Sequence, residues 1–596
     1  MVSDGIRQPA LDNSRLSFAV ELGLLTGIWV LNIAIVNPIG EFPIIDDGLY
    51  EAIVNHVLAT GEFPNPEPAS ATLLTNIFWG VGFCFFGGVS FTALRLSTLV
   101  ASLLGLFGVS VLGKGFGLPR HIRLLLALTL AFSPPYHALS FTFMTDVPFT
   151  AVVIWSSVFF MRSLRSGSLT HLAAAAILSV VATLSRQIAL ALPLAYAICF
   201  LLKKVDGLSW RKVLQALAPA ALSAATLWEY FHVLASTHRL PITYNFFSNM
   251  MMSTLTHGSA LATIPFINIY ITVLYAGLFL LPVLPVLLVV QGGTSRYRGK
   301  TFWFILALCL SATSAGALVR MGRELSNLVP LPESHILVPS GIGLLWLRGA
   351  QSVPGLPSSF WDLVTFFAVI GSILLLGQLS LVCSELLGHI RRRSLSSEPQ
   401  LAVLFLMLSG IILLCPYLFS GASDRYLTPA LPLLAVAAAA STSLWWQQEG
   451  GPVPIFARAG AAVVLLGTMI FSVAGTRDYL AWHRISAMAS ADLIERGRIR
   501  PQQIDGGEEF NAYHPAYQGR ENEIDFSDLD SSQSGYVVTN EIKSQAKVVE
   551  RMAWRPSNVQ YIVGFDSVPG YSVIQEYSYY NWMPPHVQRI CVLQRK

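Results

Sequence analysis

The chain has 596 residues, of which 53% are hydrophobic and only 12% are charged, and its mean hydropathy is +0.57. A soluble domain carries about 25% charged residues, so this composition excludes an ordinary soluble protein. The formal net charge of +4 does not indicate nucleic-acid binding, because an uneven distribution of Lys and Arg among short loops explains it better.

Apolar runs long enough to cross a bilayer, which takes about 20 residues, recur along the first 475 residues. They predict a mainly α-helical, polytopic membrane protein with about thirteen transmembrane helices. The first run follows no A-x-A-like cleavage site, so we expect it to be retained as a span. The predicted spans are 17–37, 92–112, 120–138, 147–163, 171–185, 187–202, 212–233, 265–290, 301–319, 360–383, 400–420, 427–446 and 455–475.

Basic residues follow the first five even-numbered spans and predict the orientation of the chain. They are Lys114, Arg120, Arg123, Arg162, Arg165, Lys203, Lys204, Arg211, Lys212, Arg296, Arg298, Lys300, Arg391, Arg392 and Arg393. Because Lys and Arg concentrate in cytoplasmic loops, these loops and the N-terminus are predicted to be cytoplasmic. The first loop, residues 38–91, and the tail are then extracytoplasmic. The loop "QQEGGPVP" after span twelve gives no signal.

The first loop contains "GEFPIIDDGLYEAIVNHVLATGEFPNPEP", which has six acidic residues and no Lys or Arg. Apolar residues at helical spacing after Asp47 predict an interfacial helix that stops at Gly61. Capping of this helix would explain Asp46 alone, because a carboxylate at a helix N-terminus accepts backbone N–H bonds. It does not explain a second aspartate, so a reactive site is the alternative.

Three further motifs place charged residues at predicted span ends, and each has two explanations. Asp146 in "FMTDVPFTAVV" is either a helix cap before Pro148 or a second carboxylate of the site. Arg186 in "ATLSRQIALALP" is either a snorkelling arginine or a cavity residue at a helix break. In "GASDRYLTPALP", Asp424 and Arg425 form either a local salt bridge or, through the arginine, a phosphate contact.

The composition changes after residue 476. "HRISAMASADLIERGRIRP" predicts an amphipathic helix that ends at Pro501. Strands are predicted for "SGYVVTN", "VQYIVGF", "YSVIQEYSYY" and "RICVLQR". We therefore expect two domains: residues 1–476 in the membrane, and a small extracytoplasmic α/β domain over residues 477–596.

Four motifs in chain order resemble the GT-C glycosyltransferases, and in particular the bacterial members related to protein O-mannosyltransferases and to the aminoarabinose transferase of lipid A. The first is "IIDDGLYEAIVNHVLATGEF", where an acidic pair and then a Tyr follow the first span. The others are "GGVSFTALRLSTLVASLLG", "FMTDVPFTAVV" and "SDRYLTPALPLLAV". The resemblance covers most of residues 15–440. The tail phrase "IDGGEEFNAYHP" has no role that we can assign from the sequence.

The resemblance implies a GT-C fold and direct, inverting transfer of a sugar from a polyprenyl phosphate to an acceptor. Asp46 is then the expected base, and Asp47 orients either Asp46 or the acceptor. Growing negative charge on the phosphate requires cations. The expected catalytic residues are Asp46, Asp47 and Asp146, and the expected substrate-binding residues are Tyr50, Arg186, Asp424, Arg425 and Tyr426.

No essential metal is expected, because a monophosphate leaving group needs less neutralisation than a diphosphate and arginines can supply it; a divalent cation at Asp46 and Asp47 stays open. The expected partners are the lipid bilayer, the sugar donor and a protein, lipid or polysaccharide acceptor, at the outer face of the cytoplasmic membrane. The alternative function is a transporter or flippase of a lipid-linked sugar. Such proteins usually show internal repeats, which this sequence lacks. A non-catalytic subunit is a third possibility, disfavoured by the intact set of three aspartates.

Overall fold

The computed structural model describes residues 10–66, 69, 72–203, 209–290, 299–391, 398–449, 454–513 and 559–596. Within these ranges the chain is mainly α-helical. The helices of the first half are α1 Ala10–Val36, α2 Asp47–Thr60, α3 Leu74–Cys84, α4 Phe91–Gly115, α5 Arg120–Phe132, α6 Pro134–Ser140, α7 Asp146–Ser166, α8 Leu169–Thr183, α9 Ala191–Lys203 and α10 Trp210–Ser236. Those of the second half are α11 Phe246–Thr256, α12 Gly258–Leu261, α13 Ile264–Leu280, α14 Leu284–Val290, α15 Lys300–Gly322, α16 Ser358–Arg391, α17 Glu398–Ser420, α18 Leu431–Glu449, α19 Ile455–Glu495 and α20 Glu508–Tyr513.

Every predicted span coincides with a helix or a helix pair. By length and composition, eight helices in the described ranges could cross a membrane, or nine if α5 and α6, which bend by 66° at Ser133, form one span. Four more apolar helices are shorter: 74–84, 169–183, 187–203 and 431–442. The chain is therefore a multi-pass membrane protein, whereas the number thirteen is not confirmed. The split between spans five and six is real, because α8 and α9 are separated by a 3-10 turn at Gln187–Leu190.

Charged residues sort to the two ends of the helix bundle. At one end, Arg123 pairs with Glu21 of α1, and the Lys114 ammonium lies 4.0 Å from the ring centre of Phe18. The start of α1 therefore lies beside the basic loop after α4, as the predicted orientation requires. Which end faces the cytoplasm stays a prediction. Five of the basic loop residues lie outside the described ranges: Lys204, Arg296, Arg298, Arg392 and Arg393.

The first loop is folded onto the end opposite to those basic loops. Its predicted helix is confirmed as α2, which buries Tyr50, Ile53, Val54 and Val57 on one face. Gly61 ends the helix with a left-handed φ of 75°, a conformation that glycine adopts without a Cβ clash. Apolar contacts on one face hold α2 against the bundle, so that residues at its N-terminus have a fixed position.

The C-terminal segment forms a sheet in the order β3-β4-β6-β5, with β3 parallel to β4 and the other pairs antiparallel. Its strands are β3 Ile504–Asp505, β4 Tyr561–Gly564, β5 Tyr571–Trp582 and β6 Pro585–Arg595, and a separate two-stranded ribbon pairs β1 Leu337–Val338 with β2 Gly341–Ile342. Three of the predicted strands are found, and the fourth, residues 534–540, lies outside the described ranges.

The tail is attached to the bundle by one continuous helix. The amphipathic helix predicted up to Pro501 is instead the last part of α19, which runs through residue 476 and ends at Glu495. Asp478, two residues after position 476 in α19, accepts backbone N–H bonds from Trp582 (2.9 and 2.8 Å) and Met583 (2.7 Å) at the β5–β6 turn. The sheet is thus fixed to the helix, and the division at residues 476 and 477 stays a prediction.

Candidate active site

Three charged residues at helix ends converge at the same end of the bundle as the first loop. Asp146 is the first residue of α7, and Thr145, not Asp146, occupies the capping position. Arg186 lies at the break between α8 and α9 in an extended conformation. Arg425 lies in a 3-10 turn, Asp424–Leu427, between α17 and α18. All three residues lie at ends or breaks of apolar helices, where the backbone hydrogen bonds of the helix are interrupted and polar groups can line a cavity.

The Asp146 cluster, defined as Asp146, Arg186 and Arg425, is almost completely buried. The Arg186 Nη2 atom lies 2.9 Å from Asp146 Oδ2, and Arg425 Nε lies 3.9 Å from Asp146 Oδ1. Arg186 also donates from Nε and Nη2 to the Thr145 hydroxyl at 2.9 and 2.8 Å. Two guanidinium groups therefore share one carboxylate, and this leaves local positive charge that suits an anion.

The Arg425 side chain is not fully hydrogen-bonded, as a purely structural buried arginine would be. Its Nε atom is buried and has no hydrogen-bond partner among the described residues. Burial opposes its charge, but Asp146, Tyr426 and Asp46 raise the pKa of Arg425, so it remains a cation. The ion pairs of the described residues join it to Asp146 and not to Asp424. A buried donor without a partner costs about 1–3 kcal/mol, which indicates that a ligand or water completes the site.

The N-terminus of α2 lies within electrostatic range of this cluster. Asp46 precedes α2 but makes no side-chain capping hydrogen bond to it, so capping does not account for this aspartate. Burial and the Asp46 carboxylate raise the pKa of Tyr50 well above its usual value, while Arg425 and Arg186 lower it. The Tyr50 phenol is therefore neutral, and it lies within electrostatic range of both Asp46 and the Asp146 cluster.

Asp47 is placed differently from its neighbour. It is fully buried, and its Oδ1 atom accepts the Ile44 N–H, which closes the turn before α2. Burial raises the pKa of Asp47 to about 7, although Arg95 lowers it. The largest cause of the raised pKa is desolvation by burial. The predicted orienting role fits this position better than direct proton transfer.

Asp424 anchors the loop that carries its neighbour. Its carboxylate accepts backbone N–H bonds from His335 at 2.9 Å, Ile336 at 3.0 Å and Leu337 at 2.8 Å, and also from the N–H of Arg425 at 2.9 Å. With its oxygens engaged in this way, Asp424 is poorly placed for the substrate contact predicted for it. It joins the loop after α15 to the Arg425 turn.

An aromatic pair covers one side of the cluster. Tyr426 stacks on Tyr417 with ring centres 4.6 Å apart and planes at 7°, and His335 meets Tyr426 edge-on at 5.7 Å. Burial and the charge of Arg425 lower the pKa of His335 to about 3, so its imidazole is neutral. Its Nδ1 atom is buried and has no partner among the described residues. A flat wall with a neutral nitrogen is suited to a sugar ring or a phosphate oxygen.

Sequence reasoning missed several residues around the site. Arg95 of α4 donates from Nη1 to the carbonyls of Pro38 (3.2 Å) and Gly40 (2.9 Å), and from Nη2 to that of Phe42. Tyr417 lies inside an apolar run and carried no signal. A charged Arg95 within an otherwise apolar predicted span was a signal that could have been used.

The described residues hold no group of three or more His, Cys, Asp or Glu side chains that could bind a metal ion. Asp46 and Asp47 therefore supply at most two side-chain carboxylates at the α2 N-terminus. Mg²⁺ is typically held by one or two carboxylates together with substrate phosphates, so a cation at these two aspartates would need the phosphate of a bound donor as well.

The chain is similar to the crystal structure of ArnT from Cupriavidus metallidurans bound to undecaprenyl phosphate, with 14% identity over 96% of this chain and 97% of that chain and a TM-score of 0.39. The apo state of that protein is 15% identical over 98% of each chain, with a TM-score of 0.37. The Archaeoglobus fulgidus oligosaccharyltransferase tethered with an acceptor peptide is 12% identical over 91% of this chain and 69% of that chain, with a TM-score of 0.39. No family model matches the chain, and neither does any curated protein. All three TM-scores lie below 0.5, so these likenesses do not indicate what the chain does.

Proposed function

We propose that this chain is an inverting GT-C glycosyltransferase that moves a sugar from a polyprenyl phosphate to an acceptor at the outer face of the cytoplasmic membrane. One observation carries the proposal. Arg186 and Arg425, from two separate helix breaks, meet at the single carboxylate of Asp146, and the N-terminus of α2 lies within electrostatic range of them. A site with this charge pattern is suited to an anionic head group whose lipid tail stays in the bilayer.

In the proposed reaction, Asp46 takes the proton of an acceptor hydroxyl as its oxygen attacks the anomeric carbon of the sugar. The bond between that carbon and the phosphate oxygen breaks, and the electron pair leaves with the polyprenyl phosphate. Arg186 and Arg425 stabilise the charge that grows on the phosphate, while Asp146 keeps both guanidinium groups oriented. One displacement inverts the anomeric centre and needs no covalent enzyme intermediate.

The roles proposed for these residues fall into two groups. In this proposal the phosphate and the sugar bind beside Arg186, Arg425 and the stacked rings of Tyr426 and Tyr417. Asp46 and Tyr50 lie on the α2 side, where the acceptor would approach. Asp424 acts through the Arg425 turn.

The two arginines supply the positive charge that a metal would otherwise bring. Two guanidinium groups can balance most of the charge of a monophosphate leaving group. We therefore propose that no divalent cation is essential. Transfer by the purified protein should be unchanged after dialysis against EDTA. An activity that disappears with EDTA and returns with Mg²⁺ or Mn²⁺ would show that a divalent cation is essential and contradict this proposal.

The test of the function is a transfer assay with the purified full chain in detergent and a polyprenyl-phosphate hexose or pentose series, with membrane extract as the acceptor source. The expected result is labelled product with an inverted anomeric centre, and no product from Asp46→Asn protein. The second candidate, a flippase, is tested with the same lipids in proteoliposomes. Movement of the lipid between leaflets without transfer would overturn the transferase proposal in favour of that alternative.

A further inference from the structure

The tail phrase "IDGGEEFNAYHP" forms a compact turn against the bundle; its last two residues lie outside the described ranges. Asp505 accepts from Arg348 Nε at 2.5 Å and from Asn511 Nδ2 at 2.8 Å, and Asn511 Oδ1 accepts the Gly506 N–H at 3.2 Å. Gly507 has a φ of +90°, which favours glycine. This network fixes the position of the two glutamates that open α20.

Glu509 of this turn reaches α19. Its Oε1 atom lies 3.1 Å from the Nε2 atom of His483, and both residues are buried, with 6% and 4% of their surface exposed. The other ring nitrogen, Nδ1, lies 2.8 Å from the carbonyl oxygen of Tyr479. A carbonyl oxygen only accepts, so Nδ1 must carry a proton. The contact between Nε2 and a carboxylate oxygen then requires one more proton, which either His483 or Glu509 carries.

The His483–Glu509 pair is built into the packing of the first loop. The ring of His483 stacks on Phe42, with centres 6.4 Å apart and planes at 21°. The next residue, Arg484, donates from Nη2 to the carbonyls of Asn37 at 2.8 Å and Ile39 at 3.0 Å. These contacts clamp the segment just before Asp46 and Asp47.

Other charges meet the pair from the neighbouring elements. The α20 helix packs on α2, and the Glu509 carboxylate raises the pKa of Asp47 beyond the effect of burial. The Tyr479 hydroxyl is buried without a hydrogen-bond partner among the described residues and lies in the field of Glu509, Glu508 and Asp47. The pair thus lies where the tail, α19 and the first loop meet.

We propose that Glu509 and His483 are positioning residues for sugar transfer: the C-terminal segment is part of the transferase unit and holds the first loop so that Asp46 faces the Asp146 cluster. The role in sugar transfer rests on the proposed function, whereas the holding of the first loop by the C-terminal segment does not. The bonded His483–Glu509 pair supports the stack on Phe42, and the stack supports the turn that carries Asp46.

The test compares the wild-type full chain with Glu509→Ala, Glu509→Gln and Glu576→Gln in detergent. A glutamine amide can donate to Nε2 of neutral His483, so Glu509→Gln keeps the hydrogen bond without the additional proton. Glu576→Gln is the matched control, since Glu576 forms an exposed pair with Arg589 in the same sheet. Hydrogen–deuterium exchange of residues 37–50 is measured first. Loss of a buried partner should accelerate exchange about tenfold in Glu509→Ala only.

Transfer kinetics form the second measurement. In Glu509→Ala, kcat should fall about tenfold while KM for the polyprenyl-phosphate donor stays within about twofold, because Arg186 and Arg425 are untouched. Glu509→Gln should restore kcat. Unchanged exchange in folded Glu509→Ala would overturn the inference, as would faster exchange with an unchanged kcat. If the wild-type protein transfers no sugar, the proposed function is refuted. Faster exchange in Glu509→Ala would then still support the structural part of the inference, that Glu509 and His483 hold the first loop in place.

Discussion

Two arginine sites lie within electrostatic range of the α2 N-terminus, and they use the same side chain differently. In the first, the Arg95 anchor, the guanidinium donates to the carbonyls of Pro38, Gly40 and Phe42. In the Asp146 cluster, Arg425 Nε approaches only a carboxylate at 3.9 Å and has no hydrogen bond among the described residues. The Arg95 N–H groups donate to backbone carbonyls and so hold a loop in place. The Arg425 Nε–H has no such acceptor and can donate to a bound ligand.

The comparison separates residues whose loss damages folding from those whose loss damages function. Asp46, whose carboxylate raises the pKa of Arg425, gives the largest expected effect. Asp46→Asn keeps the size of the side chain and should leave folding intact, because Asn caps a helix about as well as Asp. Loss of a general base costs roughly 10²–10⁴-fold in rate, or about 3–5 kcal/mol of barrier. The measurement is kcat for sugar transfer, alongside donor binding, which should hardly change. A near-normal rate would move the base to Asp47 or Asp146.

Arg95→Ala should damage the fold. The substitution leaves three carbonyls of the first loop without their charged donor, and breaking a buried charged contact costs roughly 3–5 kcal/mol. The unfolding midpoint in detergent should fall clearly, and the yield of folded protein with it. Arg589→Gln, which removes an exposed pair in the C-terminal sheet, serves as the control and should shift the midpoint very little.

Arg425→Ala should show the opposite profile. The protein should fold, because the guanidinium makes few bonds of its own, but binding of polyprenyl phosphate should weaken about 10- to 100-fold through the loss of charge-assisted bonds. Arg425→Lys should recover part of this binding, since lysine keeps the charge without the planar fork. Isothermal titration or native mass spectrometry with the lipid measures the change. Normal lipid binding by an unstable Arg425→Ala protein would put Arg425 in the same class as Arg95.

Asp47→Asn gives the smallest expected effect and concerns pH. Burial raises the pKa of Asp47 to about 7, so the folded protein holds the proton that the unfolded chain releases near pH 4. Stability is then highest at low pH and declines as the pH rises from about 4 to 7. In Asp47→Asn this decline should be absent. Thermal midpoints at several pH values measure it, and an equal slope in both proteins would contradict the assignment.

Much of the fold was accessible from the sequence because it depends on local pattern. Long apolar runs have to form helices in a bilayer, since no water is present to satisfy the backbone. The predicted helix after Asp47 was confirmed as α2 with its stop at Gly61, because periodicity and a glycine are enough to specify it. The end of α19 was predicted less well: Pro501 suggested where the helix stops, yet it stops at Glu495.

The sequence by itself determined the membrane class, the helices, three strands of the tail and the acidic turn before α2. All of these follow from composition, periodicity and residue-specific backbone preferences. Only the tertiary structure decided which charges meet. Asp146 and Arg425 are separated by more than half of the membrane region, and Glu509 reaches His483 through a turn that the sequence left without a role. Pairing between distant side chains depends on how the helices pack, and no local pattern encodes it. For this reason two adjacent aspartates look alike in the sequence, whereas in the structure Asp47 is buried in the turn and Asp46 lies within electrostatic range of Arg425 in the Asp146 cluster.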